Sequence, residues 1–580
     1  MSEEKSSKLE IIRHSLSHIM AKAIFKLYPK AKFAIGPAVD NGFYYDIDYG
    51  EMKISESDLL KIEDEMKKII KANLLFEKLE MTIDEALARE EKNGQIYKQE
   101  LIGEFKKQGE TTVSYYKLGE FEDLCRGPHI KSSGQVQLNS FKLEKLAGAY
   151  WRGDEKNKML IRIYGLAFNN KTELDNYLKM IEEAEKRDHK KIGKELDLFS
   201  FHSEAPGACF WHPKGMIIWN ELEALGKKLR KKYNYEEIQT PILAKQILWE
   251  ISGHWDHYQD SMFHFETESE TYVIKPMDCP FNIKIYQEKQ RSYKELPIRY
   301  TEIGRVMRNE KSGELNGLFR VRHITQDDSH IFLIKNQIEK EIATLLKMAK
   351  EYFSYFKIEP KFYLSTRPED SMGEIKDWDE AEKDLENALK NENIKYDIKE
   401  KDGAFYGPKI DINIKDSLGR SWQLATIQLD FQLPQRFKIE YIDNDGKKKT
   451  PVMIHAAIFG SIERFTGILI EHYAGAFPIW LSPVQVKIIS VGATHIEFCK
   501  KLAIEFKQND IRVEVDELDE TVGNKIRKAV AEKAPYMLVI GDREIGSDKL
   551  SVRDRGEKTT REVGKEEFIR EVRDKIKEKK

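Results

Sequence analysis

At 580 residues, with 40% hydrophobic, 34% charged and 11% aromatic side chains, the chain is too long for one core and too apolar for disorder, so about three to five domains are expected. Its 96 Lys plus Arg against 99 Asp plus Glu leave a net charge of -3, which excludes a global attraction to a polyanion, so any RNA contact must come from local basic patches. Cys125, Cys209, Cys279 and Cys499 form no Cys-x-x-Cys pair, Met1 to Lys8 is polar, and no apolar run is long enough to cross a bilayer, so the expectation is a cytoplasmic protein without disulfide framework, signal peptide or membrane partner.

In chain order, Ile11 to Phe25 has the period of an amphipathic helix, followed by a strand-like stretch through Gly36-Pro37 and a turn at Asp40-Asn41-Gly42 before Phe43-Tyr44-Tyr45. A mixed α/β domain is expected over residues 1–170, closing on a strand at Arg162-Ile163-Tyr164-Gly165, with the charged run Lys171 to Lys190 as one connecting helix within 171–195. Residues 196–481 are richer in aromatics, with short strands between Gly, Pro and Asp and a helix over Glu339 to Phe356. From 482 to 580 the pattern is regular: strand Val484 to Ile489, helix Thr494 to Gln508, strand Ile511 to Val515, helix Thr521 to Lys533, strand Tyr536 to Ile540, then Leu550 to Arg553 and a charged terminal helix. That alternation predicts a small, mostly parallel sheet with helices on its faces. The expected fold class is multidomain α/β and α+β.

Arg308-Asn309-Glu310 sits between the alternating run Ile298 to Met307 and a second run, Leu318 to Thr325, which ends at Gln326-Asp327-Asp328. Two antiparallel strands joined by a polar loop are expected. Arg308 and Arg320 at the two sides of such a loop could clamp a polyphosphate through charge-assisted hydrogen bonds, although arginines on strands are often structural. In Gly460-Ser461-Ile462-Glu463-Arg464 a glycine turn leads into the helical run Phe465 to His472. Together with a long helix and strand over Gly215 to Pro241, these segments resemble, in order, the three signature motifs of class II aminoacyl-tRNA synthetases. The resemblance narrows to threonyl-tRNA synthetases at Lys275-Pro276-Met277-Asp278-Cys279-Pro280-Phe281-Asn282, Thr325-Gln326-Asp327-Asp328-Ser329-His330 and Gly403-Ala404-Phe405-Tyr406-Gly407-Pro408-Lys409. It covers nearly the whole chain.

That resemblance implies an antiparallel-sheet catalytic domain, a homodimer through the Gly215 to Pro241 region, and one zinc ion per subunit on Cys279, His330 and His455. Spacing alone does not pick these from the 14 histidines. One thiolate and two imidazoles leave zinc an open position, which threonine fills with amino nitrogen and hydroxyl and valine cannot. The resemblance further implies Arg308 on the α-phosphate and substrate carboxylate, Glu310 on the adenine amino group, Arg320 on the γ-phosphate, Arg464 stacked on adenine and Gln428 also binding ATP. Met277, Gln326, Asp328, Tyr406 and Gln423 would line the threonine pocket, and Mg2+ would accompany ATP. Adenylation of this kind needs positioning and charge stabilisation more than a side-chain nucleophile. One departure stands out: Ile324 occupies the position where the family usually has the phenylalanine that covers the adenine, which predicts modestly weaker ATP binding.

His14 and His18 stand at i and i+4 on one helix face, and Cys125-Arg126-Gly127-Pro128-His129 supplies another pair. The set could hold zinc, but it lacks the glutamate of a zincin. It resembles the hydrolytic editing domain of bacterial-type threonyl-tRNA synthetases, with Lys98 and Asp123 as further matches, and a metal-free, water-activating site is the favoured reading beside a purely structural cluster. Such a site is needed because serine keeps every group zinc reads and lacks only a methyl, worth about 1–3 kcal/mol. The C-terminal unit resembles the anticodon-binding domain of class IIa synthetases through Val491-Gly492-Ala493 and Leu518 to Arg527. Only a short tail precedes His14, so the further small domain that many of these enzymes carry is expected to be missing. The expected partners are tRNA(Thr), ATP and threonine; the alternatives are another class II synthetase or a non-catalytic regulatory paralogue.

Overall fold

The computed structural model describes residues 7–416 and 419–580, so the first six residues of the polar N-terminal stretch lie outside the described residues. The chain divides into two compact units, Met1–Glu182 and Glu183–Lys580.

The first unit opens with the helix Lys8–Leu27, longer by a few residues at each end than the periodicity suggested. Ser7 and Glu10 close a reciprocal capping box, which satisfies two N–H groups left over by helix geometry. Leu16, Ile19, Met20, Ala23 and Ile24 bury the inner face against an antiparallel sheet ordered Lys32–Phe33, Gly42–Asp48, Met159–Ala167, Phe141–Tyr150, with the short strand Ala38–Val39 pairing on Gly42–Asp48. The turn at residues 40–41 makes this last pair a hairpin, with Asn41 at φ 65°. A second, three-stranded sheet runs Phe76–Thr82, Thr112–Leu118, Phe121–Leu124.

The charged run expected to be one connecting helix is two. Lys171–Lys186 ends, and His189–Glu195 starts anew because the Asp188 carboxylate accepts the Lys190 N–H at 2.7 Å. Aspartate at a helix N-cap competes well with helix continuation.

In the second unit an eight-stranded sheet has the order Glu236–Glu237, Ile298–Met307, His323–Leu333, Val452–Ser461, Ser421–Asp430, Lys409–Lys415, Pro360–Ser365, Tyr396–Lys399. All neighbours are antiparallel except the two edge pairs. The helices Pro213–Lys232, Ile338–Ser354, Ile375–Asn391 and Ile462–His472 supply apolar faces to its main core. Two expectations change here. The strand after the polar loop begins at His323 rather than Leu318 and runs through Gln326-Asp327-Asp328 to Leu333. The strand expected at Glu237 to Pro241 is only Glu236–Glu237.

The C-terminal part carries Val486–Ser490, Val513–Asp516 and Tyr536–Ile540 in parallel, as the alternation suggested, but Lys549–Asp554 and Arg561–Gly564 extend the sheet antiparallel. The sheet is therefore mixed. The terminal helix Lys565–Lys577 is charged on its outer face and buries Phe568, Ile569 and Val572.

Candidate functional site

Antiparallel register builds the first site. His330 on His323–Leu333 lies directly opposite His455 on Val452–Ser461, and His455 lies opposite Gln428 on the next strand. Cys279 starts the helix Cys279–Gln287. Three chain segments far apart in sequence thus place a thiol and two imidazoles, all buried, with ligand atoms within 4.8 Å of one another.

The state of these groups suits a cation. The Asp430 carboxylate, fully buried and fixed by the N–H groups of Gln432 and Leu433, accepts from His455 Nε2 at 2.8 Å, which leaves Nδ1 with the ring's lone pair. His330 Nδ1 is buried without a hydrogen-bond partner, an arrangement that costs about 1–3 kcal/mol when nothing fills it. Burial, then the neighbouring His455, holds the His330 imidazole far below its ordinary range and so neutral. Burial, with Asp328, Asp430 and Asp278 adding to it, pushes the Cys279 thiol well up. Carboxylates around a thiol oppose its ionisation, and a bound divalent cation reverses that. The donor set, the orphaned nitrogen and the carboxylate behind His455 all fit a metal.

Along His323–Leu333 side chains alternate between faces, so Gln326 and Asp328 share the face of His330. The pairing shifts between Gln326 and Asp328, where Gly460 on the facing strand adopts φ +65° and a Cβ would meet the Leu424 carbonyl at 2.4 Å. Asp327 points the other way and accepts from the N–H groups of Ile458 at 3.0 Å and Gly460 at 2.9 Å and from Arg230 Nη2 at 3.0 Å. Asp327 is therefore a buried tie between three segments, a role that sequence reading missed and strict strand alternation would have suggested. Asp328 shares its face with the trio; burial, then Asp278, Glu302 and Asp327, pushes its carboxyl well up.

Tyr406 comes to rest with its ring 5.2 Å from that of His455 and donates to Gln428 Oε1 at 3.0 Å. Gln428, expected on the ATP side, thus borders the trio together with Tyr406, and Met277 is half-buried two residues before Cys279. Gln423, expected in the threonine pocket, does not join this group: it is exposed, and its amide donates to Asp411. Five positions separate the two glutamines, and only the register reveals which one faces His455. His254, passed over in the sequence, is fully buried with Nε2 unpartnered and lies edge-on to Phe405 beside Tyr406.

Arg308, Arg320 and Arg464 lie close to one another. Arg464, in the first turn of Ile462–His472, donates from Nε to the Phe319 carbonyl at 2.9 Å. Burial, then the proximity of Arg308 and Arg320, lowers its guanidinium pKa. Arg308 donates from Nε to the Pro276 carbonyl at 3.3 Å. Arg320 reaches Glu310 at 2.7 Å and Glu314 at 2.7 Å. Because Arg320 is about half exposed, such pairs contribute only about 0–1 kcal/mol and open readily for an anionic ligand.

The second site lies within the first unit. His14 and His18 project from Lys8–Leu27, and Cys125 and His129 follow the strand Phe121–Leu124. Both His14 Nε2 and His129 Nε2 lie 3.3 Å from Cys125 Sγ. Ser15 Oγ donates to the Ile11 carbonyl at 2.8 Å and so accepts from His129 Nδ1 at 3.1 Å, while His14 Nδ1 faces the Pro128 carbonyl at 3.2 Å. These bonds put the ring protons on Nδ1 and turn both Nε2 lone pairs inward. Burial depresses all three imidazoles and raises Cys125 to about 11, so the site holds neutral rings and a protonated thiol at neutral pH.

Beside it is a buried charged set: Lys98 Nζ meets Asp123 Oδ1 at 2.6 Å, and the Tyr45 hydroxyl donates to Asp123 Oδ2 and accepts from Lys98 at 3.2 Å. Tyr45 was read only as a strand residue, and nothing in its apolar neighbours marks it. A cavity of about 500 Å³ opens onto His14, His18, Tyr45, Lys98, Asp123 and Cys125.

Comparison with known proteins gives three family matches: the tRNA synthetase class II core domain (G, H, P, S and T) over residues 263–473, the threonyl and alanyl tRNA synthetase second additional domain over 113–164, and an anticodon binding domain over 485–575. A threonine–tRNA ligase of Clostridium acetobutylicum is 51% identical over 568 residues, covering 98% of this chain and 88% of its own. One of Clostridium tetani is 50% identical over 558 residues, covering 96% and 86%. Among solved structures, the RNA binding domain of threonyl-tRNA synthetase from Cryptosporidium parvum Iowa II superposes with a TM-score of 0.64 at 37% identity, over 66% of this chain and 97% of its own. A Giardia lamblia prolyl-tRNA synthetase in complex with prolyl-adenylate, at 17% identity and a TM-score of 0.54 over 69% and 81%, shares the fold alone.

Proposed function

Because this chain belongs to the threonine–tRNA ligase family, we propose that it activates threonine with ATP, transfers the threonyl group to tRNA(Thr), and clears seryl-tRNA(Thr) by hydrolysis in its first unit. The near-full-length identity to the clostridial ligases carries the activity. The cross-strand placement of His330 and His455 beside Cys279 supports the amino-acid choice.

Zinc suits the Cys279, His330 and His455 set; when bound it supplies a Lewis-acidic site that takes an amino group and a hydroxyl together. Asp430 fixes the His455 ring for that task. Asp328 and Gln326 share the face of His330, and Tyr406 with Gln428 borders the pocket, so the threonine set becomes Met277, Gln326, Asp328, Tyr406 and Gln428. Arg308, Arg320 and Arg464 supply three cations for the triphosphate, carried with Mg2+. Attack of the threonine carboxylate on the α-phosphorus spreads negative charge over the phosphate oxygens, and fixed guanidinium groups stabilise it. Glu310 meets the adenine amino group once Arg320 turns to the γ-phosphate, as the exposed Glu310–Arg320 pair allows.

In the first unit, the inward Nε2 lone pairs of the neutral His14 and His129 can accept a proton from a water placed against the ester. Lys98, anchored on Asp123, lends positive charge to the developing oxyanion. Two pockets with different chemistry give a double sieve.

A homodimer through the Pro213–Lys232 helix and the strand that follows, and a place in the cytoplasm, complete the reading; among the described residues no helix is long and apolar enough to cross a membrane. Amino-acid-dependent ATP–pyrophosphate exchange with a threonine, serine and valine panel tests it. Threonine should lead, serine should follow, and valine should be silent; exchange driven equally by valine would overturn the metal-based selection.

A further inference from the structure

His189 lies in neither cluster, yet it touches the loop that bears the nucleotide-side arginines. It is the first residue of His189–Glu195 and is fully buried. The Leu318 N–H donates to its Nε2 at 3.0 Å, so the ring proton resides on Nδ1, which donates to Glu471 Oε1 at 2.8 Å. The main-chain N–H of His189 reaches the same oxygen at 3.2 Å, and Arg420 takes the other oxygen of Glu471. Asp188, His189 and Glu471 are close enough to suggest a metal site, but both ring nitrogens are already committed. The cluster is a clamp.

The clamp grips both halves of the nucleotide site. Gly317 packs on the imidazole at φ +49°, where a Cβ would come within 2.2 Å of Nε2. The Phe319 ring lies 4.1 Å from the His189 ring and 4.3 Å from Trp422. The Phe319 carbonyl is the group that receives Arg464 Nε, and Arg320 is the next residue. Glu471 is on the same helix as Arg464.

We infer that His189 is a positioning residue for ATP: through Leu318 on one nitrogen and Glu471 on the other, it fixes the 316–320 loop against the Arg464 helix. The inference rests on the assignment of Arg320 and Arg464 to the nucleotide. A loop shifted by about 1 Å is enough to cost up to about a hundredfold in such a site.

The experiment compares His189→Asn, His189→Gln and Gly317→Ala in threonine-dependent ATP–pyrophosphate exchange, with Arg464→Ala alongside. An asparagine amide can replace Nδ1 toward Glu471 but leaves Leu318 N–H without its acceptor; a glutamine oxygen can replace Nε2. His189→Asn and Gly317→Ala should raise KM for ATP about tenfold or more while KM for threonine stays within about twofold, and His189→Gln should restore most of the loss. An unchanged KM for ATP in a folded His189→Asn protein, or an equal rise in both KM values with a matching fall in Tm in all three variants, would overturn it. If Arg464→Ala itself left exchange intact, the nucleotide assignment would be what fails; if Arg464→Ala abolished exchange and the His189 and Gly317 variants were normal, only the positioning role would fall.

Discussion

Among the described residues, two clusters of histidine and cysteine differ in how their lone pairs are used. In the catalytic sheet the groups are wholly buried, one imidazole nitrogen has no partner, and a carboxylate stands behind His455. In the first unit the rings are fixed by Ser15 and the Pro128 carbonyl, and a cavity of about 500 Å³ opens beside them together with the Tyr45, Lys98 and Asp123 set. Residue type alone does not separate the two clusters. In both, the donor atoms lie within 4.8 Å of one another; what separates them is that a cavity and a buried Tyr45, Lys98 and Asp123 set adjoin only the first-unit donors.

The largest expected effect tests this contrast from the metal side. Cys279→Ala should remove bound metal and lower threonine-dependent exchange by about a thousandfold, while deacylation of seryl-tRNA continues at its normal rate. Metal analysis and the two assays on one preparation check it. A chelator should reproduce that split; if deacylation fell as well, the first-unit cluster would also use a metal and the contrast would break.

From the other side, Cys125→Ala or His129→Ala should leave threonylation intact and slow seryl-tRNA hydrolysis by about a hundredfold. Mischarged seryl-tRNA would then accumulate in a charging reaction. Normal hydrolysis in both variants would return the cluster to a structural role.

Tyr45→Phe probes the residue that the sequence hid. It removes one hydrogen bond from a buried carboxylate that keeps its Lys98 partner, so deacylation should drop about tenfold or more, in line with the roughly 1.5–3 kcal/mol of a hydrogen bond to a charged group. The smallest effect belongs to Ile324→Phe: an aromatic cover over the base should lower the ATP dissociation constant by about two- to tenfold. Isothermal titration with ATP would show an unchanged constant if Ile324 does not face the nucleotide.

Much of this is legible in the sequence, and the reasons are local. Alternating β and α patterns between Val484 and Ile540 marked the C-terminal elements because the helices bury one face at their own period, while the strands Val486–Ser490 and Tyr536–Ile540, buried on both faces, read as short, largely apolar runs. The last strand, Arg561–Gly564, escaped because an edge strand with a charged sequence buries only Val563. The break before His189 escaped because the apolar stripe Leu174, Tyr177, Leu178 and Ile181 gives way to an all-polar run, Glu185 to Lys191, in which nothing apolar marks the interruption, and only Asp188 signalled a new N-terminus. Cys279, His330 and His455 were found through the motifs around them; no spacing links residues that meet by strand register. That same register sets Gln428, and not Gln423, opposite His455.

Asp327, tied to Arg230 and to the main chain of Ile458 and Gly460, pins two strands at one setting. A slip of a single residue would turn every side chain of His323–Leu333 to the opposite face. Rejection of valine is therefore bound to the pairing of the central sheet: on heating, this ligase should lose threonine activation and its selection against valine together, with no stage at which it activates valine.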